Sequence, residues 1–168
     1  MLFKLIFNEN NKANCTTCPT LFRATATTNH IEIKAINNGE EYDNLHFNFG
    51  SSYSNNYEEK TDAVKLLNAG LSIYSLTQDK QMLASDYRSI NDKTTIPLGI
   101  KLPITNGMET YTLKVSDFNI SNGYKVILHD KLYNKYILLT KDVAYDLVID
   151  PSNKNSVGEN RLEIIIKK

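Results

Sequence analysis

Thr110-Tyr111-Thr112-Leu113-Lys114-Val115-Ser116 is the stretch on which the fold class turns. A strand sends successive side chains to opposite faces, so Tyr111, Leu113 and Val115 share one face while Thr110, Thr112, Lys114 and Ser116 share the other. One face is apolar and one is polar, which is the pattern of a half-buried strand.

The same alternation recurs outward in both directions. Ile31, Ile33 and Ala35 oppose Glu32 and Lys34, while Tyr124, Val126 and Leu128 begin a further run. Val143, Tyr145, Leu147 and Ile149 form another, followed by Leu162, Ile164 and Ile166. Shorter runs fall at 21–28, 45–49, 71–76 and 94–102. Turn formers such as Asn37-Asn38-Gly39, Ser121-Asn122-Gly123 and Pro151-Ser152-Asn153 separate them. Many short strands at this spacing predict an all-β fold, an antiparallel β-sandwich. Asp130 to Lys135 is a polar turn that makes a hairpin of its flanks. Pro97 inside an apolar run predicts an edge strand or bulge.

One segment departs from the pattern. Ala63, Val64, Leu66 and Leu67 recur at helical spacing, with Thr61 or Asp62 as a cap and Gly70 as a stop. This predicts one short helix near residues 61–69, with Lys65 on its exposed side. Residues 1–14 read as an N-terminal strand followed by an Asn-rich linker, the strand being an edge or the end of a preceding module. Residues 15–168 read as the β-sandwich module.

Bulk composition narrows the function. The chain has 168 residues, 41% hydrophobic and 23% charged, a globular mix rather than a disordered one. Nineteen basic residues balance nineteen acidic ones, so no overall electrostatic footprint marks a nucleic-acid or membrane-surface protein. No apolar run approaches the roughly 20 residues of a membrane span. Residues 1–7 are too short, and lead into too polar a stretch, for a signal peptide.

Candidate chemistry is sparse. Cys15 and Cys18 have the spacing of half a zinc site, but a closed site takes four ligands, and the sequence has no second cysteine pair. A small local disulfide or two free thiols is the reading favoured here. His30, His46 and His129 are scattered rather than set at ligand spacing, and neither a Gly-x-Ser-x-Gly elbow nor a His-Glu-x-x-His helix is present. Calcium takes several oxygen ligands, and Asp43, Glu58 and Asp62 are the carboxylates placed to supply them. The spacing is not that of an EF-hand, and the reading favoured here for Asp62 is a helix cap rather than a calcium ligand. Ten tyrosines stand beside no tryptophan. Tyr53, Tyr57, Tyr87 and Tyr133 fall in loops or strand ends, where flat rings could stack on a glycan. Tyr111, Tyr124 and Tyr145 lie on apolar faces and belong to the core.

A series of short signatures carries a family resemblance. Asp62-Ala63-Val64-Lys65-Leu66 comes first, then Ile73-Tyr74-Ser75, Ile96-Pro97-Leu98-Gly99 and Tyr111-Thr112-Leu113. Val126-Ile127-Leu128 with Asp130-Lys131 follows, then Tyr145, and last Asn160-Arg161-Leu162. Their order resembles the all-β module of many Bacteroidetes surface and secreted proteins, often placed just upstream of a type IX secretion sorting domain. The closing signature departs from that family, which usually shows an acidic residue, arginine and phenylalanine there. The resemblance implies a jelly-roll-like sandwich at the cell surface and transfers no catalytic residue. The expected function is therefore a non-catalytic structural or adhesive module of a larger exported bacterial protein, contacting neighbouring modules. The alternative is a carbohydrate-binding module attached to a secreted enzyme or adhesin. A small hydrolase ranks third.

Overall fold

The structure, a computed structural model, describes residues 29–103, 107–121 and 123–168. Cys15, Cys18, the expected strand at 21–28 and the whole of 1–14 lie outside the described residues. The described chain is all-β. In order it forms β1 (Asn29–Asn37), β2 (Glu40–Phe49), β3 (Ala63–Val64), β4 (Ser72–Leu76), β5 (Met82–Arg88) and β6 (Lys93–Lys101). Then follow β7 (Glu109–Asn119), β8 (Lys125–Asp130), β9 (Lys135–Leu138), β10 (Ala144–Ile149) and β11 (Gly158–Lys167). They join in one sheet, in the order β10-β7-β1-β2-β5-β4-β6-β11-β8-β9, with β3 added against β5.

Alternation decides the faces as expected. Tyr111, Leu113 and Val115 of β7 are buried, and so are Ile31, Ile33 and Ala35 of β1. Tyr145, Leu147 and Ile149 of β10 and Leu162, Ile164 and Ile166 of β11 join them in a single core. Each valine, leucine or isoleucine side chain among them contributes about 1.5–3 kcal/mol on full burial. The core is continuous because the sheet curls on itself. Its end strands do not pair, yet the Tyr145 hydroxyl on β10 reaches Asp130 on β8 at 2.8 Å. The result is barrel-like and nearly closed.

The pairing is mixed rather than wholly antiparallel. β2 and β5 run parallel, His46 beside Ser85 through Phe49 beside Arg88. Parallel neighbours need a long crossover, which residues 50–81 provide.

The expected helix at 61–69 is not there. Ala63 and Val64 form β3, paired with β5, and the Lys65 amide donates to the Met82 carbonyl. The apolar members of the supposed stripe face outward: Val64, Leu66 and Leu67 are 46%, 83% and 42% exposed. The buried members are Asp62 and Lys65, so the expectation that Lys65 is exposed is also corrected. Lys65 is drawn inward by the Asp43 carboxylate, and Asp62 accepts the amides of Glu58 and Tyr87 at 2.8 Å each. Specific polar partners here outweigh helical spacing. Among the described residues the helical structure is a 3-10 turn at Lys154–Ser156, and no helix is long and apolar enough to cross a membrane.

Pro97 is not on an edge either, because β6 lies between β4 and β11. The β4 ladder covers Leu98 to Lys101 and stops beside Pro97, which has no N–H to extend it. Two residues on, Gly99 faces Tyr74 across β4. A Cβ at Gly99 would fall 2.0 Å from the Tyr74 ring, which is itself buried. Gly99→Ala is therefore expected to cost about 1–3 kcal/mol through overpacking. The urea midpoint measures this, and an unchanged midpoint would show that the ring moves freely.

Candidate functional site

A polar pocket of about 520 Å³ opens where β4, β5 and β6 meet the loop after β2. Its walls come from three short pieces of chain. The first is the β4–β5 turn. Thr77 Oγ1 donates to Asp79 at 2.5 Å and accepts the Gln81 amide at 2.9 Å. The Lys80 amide then closes on the Thr77 carbonyl, and Lys80 takes a left-handed φ of 67°. A non-glycine residue is strained in that region.

The second piece is the end of β5. Asp86 and Arg88 are two apart and so share a face. Arg88 Nε and Nη2 donate to the Asp86 carboxylate at 3.1 and 2.8 Å, and Nη2 also reaches the Leu76 carbonyl. Burial pushes the Asp86 carboxyl above the usual carboxylate range, against the pull of Arg88. Only 3% of Arg88 is exposed, yet it lines the pocket. Among the described residues its Nη1 takes no hydrogen bond.

The third piece is the start of β6, which presents Lys93, Thr94, Thr95 and Pro97. The Asn91 amide is fixed to Thr94 Oγ1 at 3.0 Å. The loop after β2 adds Asn55, whose carbonyl accepts the Gln78 amide at 3.0 Å. The polar lining is thus one arginine, two lysines, hydroxyls and amides, set beside Leu76 and Pro97 and without a carboxylate or an aromatic ring. Such donors bind oxyanions and sugar hydroxyls.

The residues expected from the sequence lie partly beside this pocket. Tyr53 and Tyr87 meet edge to face, centroids 5.2 Å apart, and the Tyr57 amide donates to Asp79 at 3.2 Å. All three are half-buried around the loop that carries Asn55. Tyr133 stands apart, 48% exposed on the β8–β9 turn, with Arg161 5.4 Å from its ring centre.

Of the carboxylates considered for calcium, Asp43 holds Lys65 and the Ile73 amide. Asp62 holds the two amides already named. The Glu58 carbonyl accepts the amides of Thr61 and Asp62. Among the described residues no three His, Cys, Asp or Glu side chains are grouped to hold a metal ion. The histidines are dispersed as expected, His30 against Asp117 and His129 against Glu163.

Arg88, Lys80 and Lys93 were not singled out from the sequence. The legible signal was Asp86-Tyr87-Arg88, opposite charges two apart in a strand, which a buried face converts into an ion pair.

A second polar centre is structural in its geometry. Arg161 donates through Nε and Nη2 to Asp130 Oδ2 at 3.0 and 2.8 Å. Its Nη1 reaches the carbonyls of Val148 and Ser156. Asp130 Oδ1 accepts the Leu132 amide at 2.9 Å. Burial would raise the Asp130 carboxyl, but its bonds from Arg161 and Tyr145 outweigh that and hold it below the ordinary range.

Fold and site together define an all-β domain with a cationic, hydroxyl-lined pocket. Set against known family models, curated proteins and solved structures, the chain matches none of them.

Proposed function

We propose that this chain is a non-catalytic adhesive module of a larger exported bacterial surface protein, its curled sheet a variant of the jelly-roll-like sandwich. The observation that carries the reading is the pocket lined by Arg88, which gathers cationic, hydroxyl and amide groups in one concave surface. The signatures behind the family resemblance support it differently. Asp62, Lys65, Asp130, Tyr145 and Arg161 all act in buried polar networks that hold strands together, so each has a folding role. In this reading neighbouring modules of the same polypeptide position the domain outside the cell, and the pocket meets the target.

The test is binding of the purified chain to a broad glycan array, with and without calcium. Selective binding that Asn91→Ala and Thr95→Ala each weaken at least tenfold is the expected result. A blank array would sink the adhesive reading and leave a structural spacer. The second reading, a carbohydrate-binding module attached to a secreted enzyme or adhesin, is favoured by the three tyrosines around the pocket loop. It requires that Tyr53→Ala, Tyr57→Ala or Tyr87→Ala abolish binding while the pocket substitutions do not.

A further inference from the structure

We infer that the ligand is an anionic sugar polymer, carboxylated or sulfated, which runs from the Arg88 pocket onto a row of lysines on the outer face of the sheet. The inference rests on the adhesive reading above and names its ligand class.

The row follows from strand register. Lys167 on β11 pairs with Lys93 on β6 and with Lys125 on β8. Cross-strand partners project to the same face, so three ammonium groups stand side by side, and all three residues are exposed. Strand spacing of about 4.8 Å makes the row roughly 10 Å long, longer than one monosaccharide. Like charges directly opposite one another destabilise a sheet. Composition does not force this, since acidic and basic residues are equal in number. Among the described residues none of the three lysines has a carboxylate within ion-pair distance, although Asp92 adjoins Lys93 in the chain. A polyanion lying along the row would convert the repulsion into attraction.

Lys93 belongs to both the row and the pocket. The cationic track therefore continues to Lys80 and to Arg88, a side chain 96% buried that still lines the pocket. Of the carboxylates close by, Asp86 is engaged by Arg88 and Asp79 by Thr77 and the Tyr57 amide, while Asp92 adjoins the track beside Lys93. The amides and hydroxyls of Asn55, Asn91, Thr94 and Thr95 fit sugar hydroxyls. The pocket lacks the aromatic platform on which unpaired bases stack, which favours a glycan over a nucleic acid.

Two substitutions test this without weakening the fold. Lys80→Gly removes a charge at a φ that glycine adopts freely, and Lys167→Glu relieves the repulsion at the centre of the row. Binding of the purified full chain to heparin, polygalacturonate, dextran and single-stranded DNA is measured beside its melting temperature. Expected is binding to heparin, polygalacturonate or both, weakened by salt, with dextran blank. Each substitution should reduce it at least tenfold with no fall in melting temperature. Preference for heparin assigns sulfate, and preference for polygalacturonate assigns carboxylate.

Binding to DNA equal to or above that of the polysaccharides would overturn the inference, as would polysaccharide binding untouched by both substitutions. If only neutral glycans bind on the array, the anionic class fails while the adhesive reading stands. If neither the array nor the polymers bind, both fail.

Discussion

Arg161→Met is expected to lower stability by about 3–5 kcal/mol, because it leaves the Asp130 carboxylate buried without its countercharge. Both side chains of the pair are 0% exposed. The guanidinium also serves the carbonyls of Val148 on β10 and Ser156 in the 3-10 turn. Its loss thus unties both ends of the curled sheet at once. For a chain of this size the melting temperature should drop by roughly 6–20 °C.

The pH dependence has a definite sign. In the native chain Asp130 is held below its ordinary value of 3.8. Its contribution is therefore fully present above about pH 4 and is lost as pH falls through the lowered value. Without Arg161, burial dominates and the carboxyl moves upward. The deficit of Arg161→Met relative to the native chain should be largest near neutrality and shrink in acid. Adding Asp130→Leu to Arg161→Met removes the stranded charge and should recover part of the loss, which a double-mutant cycle resolves. A deficit under about 1 kcal/mol at neutral pH would mean that the pair does not hold the sheet ends together.

Asp43→Ala should cost a similar amount, about 3–5 kcal/mol, by the same principle in another place. Asp43 sits on β2 with its side chain 6% exposed, and the Lys65 side chain is 4% exposed. One carboxylate oxygen holds the Lys65 ammonium, and the other accepts the Ile73 amide of β4 at 2.7 Å. A side chain here provides an acceptor for a strand amide, joining β2 to β4 where the two meet β5. Asp43→Ala orphans both donors. Asp43→Asn keeps an acceptor and should cost less, about 1–3 kcal/mol. Lys65→Met in the Asp43→Ala background should restore part of the loss. Urea unfolding gives the magnitudes, and hydrogen exchange at Ile73 reports the amide directly. If Asp43→Ala and Asp43→Asn are equally mild, the interior tolerates the free ammonium and the argument fails.

Strand alternation was the strongest signal along the chain, and it was legible for a physical reason. Tyr111, Leu113 and Val115 must be buried together because a period of two admits no other arrangement, and the same holds for Leu162, Ile164 and Ile166. The Asp130–Lys135 turn was equally readable, since its composition is local; it closes β8 onto β9 with Asn134 at a φ of 50°. Ala63 to Leu67 misled because their spacing is a local property, while their fate was set by distant partners. The edge of β5 and the Asp43 carboxylate captured Val64 and Lys65. Pro97 misled similarly: a missing N–H predicts an edge, and the β4 ladder instead ends beside it.

The sequence by itself determined the all-β class, the turn positions and the membership of most of the core, because pleat and turn chemistry act over a few residues. Only the tertiary structure decided the mixed order of the strands, the curl that brings Tyr145 to Asp130, and the grouping of cations. Lys93, Lys125 and Lys167 are far apart along the chain and become neighbours through register alone. Arg88 meets Lys80 and Lys93 because β5 and β6 flank β4 in the sheet. Such sites depend on which strands pair, and pairing is chosen by the whole core rather than by any stretch of sequence within it.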